Sequence, residues 1–134
     1  MLRSVLAVFL GYLAMAVSTM IFLAILSPIF GITLSTTSRP AAVPQGYLLC
    51  NLAAGLISAV FGGWLTAKLA PRHPGRHAIA LAVALVAFGA IFALAEKDHP
   101  APRWYFFMLP IIGAGGTLFG GRLAYGNSGM KPKA

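Results

Sequence analysis

The charged residues of this chain leave four long stretches empty, and that spacing constrains the fold more than any motif does. No Asp, Glu, Lys or Arg lies between Arg3 and Arg39, Arg39 and Lys68, Arg76 and Glu96, or Arg103 and Arg122, intervals of 35, 28, 19 and 18 residues. A helix needs roughly 17 to 25 apolar residues to cross a hydrocarbon core, so each interval holds one crossing and none holds two. The strands of a membrane barrel alternate apolar and polar residues over about 10 positions, whereas these stretches are apolar all round. With 59% of its residues apolar and 9% charged, the chain is expected to be a single all-α membrane domain over residues 1–134, a four-transmembrane-helix bundle.

Helix breakers and interfacial residues set the expected spans at about residues 5–27, 47–69, 78–95 and 104–124. Pro28 and Gly31 close the first, Pro44 and Gly46 precede the second and Pro71 follows it. Pro74 and Gly75 precede the third, Glu96 ends it, and Pro100 and Pro102 precede the fourth. Arg3 followed by an apolar run containing Ala14-Met15-Ala16 has the outline of a signal peptide. The run continues to Leu26, past the roughly 7 to 15 residues of a signal core, so retention as a span is expected.

Orientation follows from the basic residues. One side of a four-span chain carries Arg3, Lys68, Arg72, Arg76, Arg122, Lys131 and Lys133, seven in all. The other carries Arg39, Lys97 and Arg103 together with the two acids, Glu96 and Asp98. The positive-inside rule places the seven-charge side, and both termini, in the cytoplasm, as for a multi-pass bacterial inner (plasma) membrane protein. The net charge of +8 is thereby explained as topology. No nucleic-acid partner is expected, because such a site gathers its bases on one soluble face.

The spans carry small residues at helical spacing. Gly55, Ala59, Gly63 and Ala67 recur every four residues in the second, with Ser58, Gly62 and Thr66 on the adjoining row; Gly116, Gly120 and Ala124 repeat the device in the fourth, beside Gly121. Such stripes let helix backbones approach closely in lipid, where packing supplies the attraction. Gly55, Ala59, Gly62, Gly63, Gly116, Gly120 and Gly121 are therefore the candidate helix-packing or partner interface. Of the two rows in the second span, one is expected to serve an internal neighbour and the other an external one. A sharper alternative has the run of residues 113–116, after Pro110, kink the fourth span to admit a ligand. Tyr47, Trp104 and Tyr105, at the outer span ends, and Lys68 and Arg122, at the inner ones, are expected as interfacial anchors.

The second and fourth spans also resemble each other. At an offset of 58, Pro44, Tyr47, Gly55, Phe61, Gly62, Gly63 and Leu65 meet Pro102, Tyr105, Gly113, Phe119, Gly120, Gly121 and Leu123. This suggests a parallel duplication of a two-helix hairpin about an axis along the membrane normal.

Chemistry finds few footholds. Cys50 is the single cysteine, which excludes an internal disulfide, and it reads as a small packing residue. His73 and His77 are four apart but separated by Pro74 and Gly75, which argues for turn residues beside the headgroups. No acid is embedded in a span, where proton-coupled carriers usually place one, and no phosphate loop, metal-ligand cluster or Ser/His/Asp arrangement can be assembled. No enzyme activity and no cofactor are expected.

Taken in order, Gly11-Tyr12 with Met15, Asn51-Leu52, Gly62-Gly63-Trp64 with Ala67 and Ala70-Pro71, His77-Ala78, Pro102-Arg103-Trp104-Tyr105 and Gly120-Gly121-Arg122-Leu123 resemble a family of small, uncharacterised bacterial four-span inner-membrane proteins. The resemblance covers nearly the whole chain. It implies the architecture and the location, and no activity, since none is known for the group. A fainter similarity of Asn51, Gly55 and Gly62 to the second helix of small four-span fluoride channels fails on spacing and on the charge bias.

Two functional expectations remain. The first is an accessory, assembly or structural subunit that contacts a larger membrane complex, or a second copy of itself, within the lipid bilayer. The second is a small oligomeric channel or carrier for a neutral or anionic solute, with a polar band of Ser18, Thr19, Ser58 and Thr117. The topology has its own test. Single cysteines at Ser38 and Ser128, in a Cys50→Ala background, are expected to react with a membrane-impermeant thiol reagent in intact cells at Ser38 only; labelling of the tail alone would invert the orientation.

Overall fold

A computed structural model describes residues 2–32, 43–70, 74–95 and 101–126. Four helices account for nearly all of them: α1 (Leu2–Ile29), α2 (Gln45–Leu69), α3 (Pro74–Ala95) and α4 (Arg103–Gly126). The shortest, α3, has 22 residues, a length of about 33 Å at 1.5 Å per residue. All four are long and apolar enough to cross a membrane, and the protein is a multi-pass membrane protein by that measure. Among the expected loop and tail residues, Arg39, Arg72, His73, Glu96, Lys97, Asp98, His99, Lys131 and Lys133 lie outside the described residues.

Two departures from the expected bounds have a local reason. α1 runs through Pro28 to Ile29, since a proline this late in the helix removes one backbone bond and leaves the preceding ladder intact. The stop comes instead at Gly31, whose φ of 65° suits glycine. The amide of Ile32 donates to the Ser27 carbonyl at 2.8 Å and that of Gly31 to the Pro28 carbonyl at 3.2 Å, the paired bonds of a Schellman cap. α3 begins at Pro74, four residues before the expected start, because proline tolerates the first helical turn, where its missing N–H has no partner anyway. His77 is consequently a helix residue and not part of a turn. α4 is an uninterrupted helix through Pro110.

The helices form a ring in the order α1, α2, α4, α3, with α2 against α4 the most extensive contact and α1 against α3 the slightest. α2 also touches α3 across the ring, whereas α1 and α4 do not meet. The parallel pair α2 and α4 is therefore the spine, and α1 and α3 flank it. The likeness between α2 and α4 holds in register, for residues that meet across their seam are 54 to 60 apart, close to the sequence offset of 58. It does not extend to a two-fold arrangement of the hairpins, because a two-fold axis would give α1 a contact with α4 equal to that of α3 with α2.

Candidate functional site

The candidate site is the pair of glycine seams on α2. On the row facing α4, a Cβ added at Gly63 would sit 2.7 Å from the Cα of Thr117 and closer still to its carbonyl oxygen. One added at Gly120 would meet the backbone of Val60 and, at 2.9 Å, the amide nitrogen of Trp64. At Gly116 it would stand 2.8 Å from the Cβ of Ala59, which is fully buried. The two backbones are thus in direct contact over about two turns, a proximity only glycine permits.

The adjoining row faces α1. A Cβ at Gly62 would lie 2.9 Å from the Gly11 carbonyl oxygen, and one at Gly11 would lie 2.9 Å from the Gly62 carbonyl oxygen and collide with Thr66 Oγ1. Both rows of α2 therefore serve neighbours within the chain, so the expected split between an internal and an external row is not what the fold does. The reason is the ring order, which places α2 between α1 and α4. On α4, Gly120 faces α2 while Gly121 faces α3, 2.7 Å from the Ala78 Cβ by the same measure. Gly62 and Gly120, equivalent in sequence, thus meet non-equivalent neighbours. Gly55 differs from the rest: its nearest neighbour would be Leu109 Cδ2 at 4.0 Å, an ordinary contact with room for a methyl group.

Two seams escaped the sequence reading. Gly89 on α3 makes room for the ring of Pro110, whose Cβ lies 2.6 Å from the site of an added Cβ; the signal was an isolated glycine in α3 beyond its first turn. Gly11, noticed only within the family pattern, is the α1 half of the α1–α2 seam. Pro110 thus packs against α3, and a Cβ added at the buried Gly113 would lie 3.8 Å from Leu85 Cδ1. Gly115 alone of that run meets nothing within 4 Å.

The end of the bundle opposite Lys68, Arg76 and Arg122 is closed by an apolar cluster of Tyr47, Leu48, Leu52, Ala101 and Tyr105, with Phe30 packed against it. Tyr47 and Tyr105, expected as interfacial anchors, are instead turned inward, 9% and 6% exposed. Phe30 meets Tyr47 edge-on at 5.8 Å, and the Asn51 side-chain amide donates a hydrogen bond to the Tyr105 hydroxyl. The phenol thereby finds its polar partner inside the protein and needs no headgroup. Trp104 is 46% exposed and faces outward. At the basic end Lys68 and Arg122 are exposed, with Lys68 Nζ 4.3 Å from the Trp64 ring centroid. Cys50 is exposed as well, so it does not pack within the chain.

The hydroxyls of the middle are occupied. Thr19 donates to the Met15 carbonyl at 2.9 Å, Thr66 to the Gly62 carbonyl at 2.8 Å and Thr117 to the Gly113 carbonyl, while Ser58 donates to Ser18 Oγ at 3.1 Å across the α1–α2 seam. Among the described residues no buried side-chain nitrogen or oxygen lacks a partner, and no group of three or more His, Cys, Asp or Glu could hold a metal. Three lateral cavities, between α1 and α3, between α1 and α2, and between α1, α3 and α4, are walled almost wholly by apolar side chains. No known protein family, curated protein or solved structure matches the chain.

Two measurements follow. Gly63→Ala is expected to lower thermal stability in detergent by on the order of 1 to 3 kcal/mol through overpacking, and Gly62→Ala likewise. Gly55→Ala should be neutral or stabilising by up to about 1 kcal/mol, the helix-propensity gain of alanine over glycine. Equal effects at Gly55 and Gly63 would contradict the seam. Separately, a double-mutant cycle of Asn51→Leu and Tyr105→Phe is expected to return a coupling of about 0.6 to 1.7 kcal/mol, as for hydrogen bonds between membrane helices. Additive single effects would show that the pair contributes nothing beyond packing.

Proposed function

We propose that this chain is a bacterial inner-membrane protein with both termini in the cytoplasm, of the kind its sequence pattern resembles, and that it acts as an accessory, assembly or structural subunit without enzymatic chemistry of its own. The observation that carries this reading is the lack of a polar path among the described residues. Every buried hydroxyl is bonded to its own helix or to a neighbour, and the cavities are apolar and open sideways. A protein built in this way acts through its outer surface.

With the glycine rows consumed internally, the surface it offers is α1. In the most apolar stretch of α1 only 6% of residues are buried, against 33% for α2 and 28% for α4. Leu6, Leu13, Val17 and Met20 are exposed and recur at helical spacing along one face, a stripe that fits a helix of a larger membrane complex or of a second copy. The channel or carrier reading relies on Ser18, Thr19, Ser58 and Thr117, which are engaged in the bonds described above.

Purification in a gentle detergent is the test. The wild-type chain is expected to bring a membrane-protein partner, or a second copy, in fixed stoichiometry. A Leu13→Trp, Val17→Trp double variant, bulky but lipid-compatible, should lose that partner at unchanged thermal stability. A solitary oligomer that passes solute in liposomes would replace the subunit reading with the channel one.

A further inference from the structure

The slight contact between α1 and α3 leaves an apolar groove of about 640 Å³, lined by Val5, Phe9 and Tyr12 on one side and His77, Ala84 and Phe88 on the other. We infer that this groove seats one acyl chain of an anionic phospholipid from the cytoplasmic leaflet, with the lipid phosphate beside Arg76. The inference rests on the proposed orientation for its leaflet and on the groove itself for its occupant.

Depth is the first argument. From His77 to Phe88 the helix rises about 16 Å at 1.5 Å per residue, close to half of a core about 30 Å thick. There the Tyr12 and Phe88 rings approach to 6.5 Å between centroids and bridge the groove. A partner helix about 10 to 12 Å across would need a trough of full membrane depth; a cavity that ends at mid-membrane matches a single leaflet. Beyond the ring pair lies a separate cavity of about 430 Å³ against Pro110 and Gly113.

Charge is the second argument. Arg76 is exposed one residue before His77, which lines the groove at its Val5 end. Both acids of the chain, Glu96 and Asp98, follow the opposite end of α3. The mouth is thus basic and the wall apolar, the combination that basic clefts between membrane helices use to bind anionic headgroups. Zwitterionic lipid offers the same chain with no net charge for Arg76 to attract.

Native mass spectrometry of the purified full chain, with phosphatidylglycerol or phosphatidylethanolamine added, tests the site. One phosphatidylglycerol per chain is expected to be retained in preference to phosphatidylethanolamine. Arg76→Gln should reduce that preference about five-fold, the worth of one basic residue near an anionic surface. Ala84→Trp should fill the groove and abolish retention of either lipid, and Ala80→Trp, at an exposed position on the same wall, should do the same if Ala84→Trp unfolds. Equal retention of the two lipids by the wild type, or undiminished retention by both tryptophan variants, would overturn the proposal. So would a dimer that the tryptophan variants dissolve, which would assign the groove to a second copy. Loss of the co-purifying partner in the α1 double variant is independent of these readings, and inverted thiol labelling would move the lipid to the other leaflet without changing its stoichiometry.

Discussion

The direct backbone contact between α2 and α4 is the constraint on which the other helices depend. In lipid an exposed leucine loses nothing, so apolar area does not draw helices together as it does in water. What remains is van der Waals contact, which grows steeply as backbones approach. Gly63, Gly116 and Gly120 remove the side chains that would hold α2 and α4 apart, and Thr117 can face Gly63 because its hydroxyl turns back to the Gly113 carbonyl. The Asn51 to Tyr105 bond pins the same seam toward the end opposite Lys68. α1 and α3 pack on this spine through Gly11 with Gly62 and through Gly121 and Gly89.

This division explains the uneven burial of the bundle. Helices α2 and α4 carry most of the inward-facing positions, and α1, joined mainly along one seam, leaves most of its surface to the membrane. The α1–α3 contact is slight beside the α1–α2 seam. A lateral opening results there, and in a bilayer such an opening must be filled by lipid or by protein. The proposed subunit role and the proposed lipid seat thus arise from one cause, an outer helix secured on one side only, and they use different faces of it.

Polar groups inside the bundle act on specificity more than on chemistry. Ser58 with Ser18 and Asn51 with Tyr105 join helices at fixed registers, whereas Thr19, Thr66 and Thr117 satisfy themselves locally. An interhelical bond costs little when formed and more when mispaired, because no water is present to replace a lost partner. Sliding α2 along α4 by one turn would break the Asn51 bond and bring side chains onto the glycines together, so register is specified twice.

Much of this architecture was legible in the chain itself. Four charge-free intervals determine four helices because burying a charge in hydrocarbon is costly, and the glycine stripes mark which faces approach closely, since spacing on a helix is a local property. The sequence could not say which neighbour each stripe meets. Gly62 and Gly63 are adjacent and chemically identical, and only the ring order sends one to α1 and the other to α4. Tyr47 and Tyr105 likewise have the composition of interfacial anchors, and their inward orientation depends on Asn51 and Phe30 being brought beside them by tertiary packing. Helix number and length were determined by the solvent and the chain alone, whereas the partner of each face depended on which helices come to stand side by side.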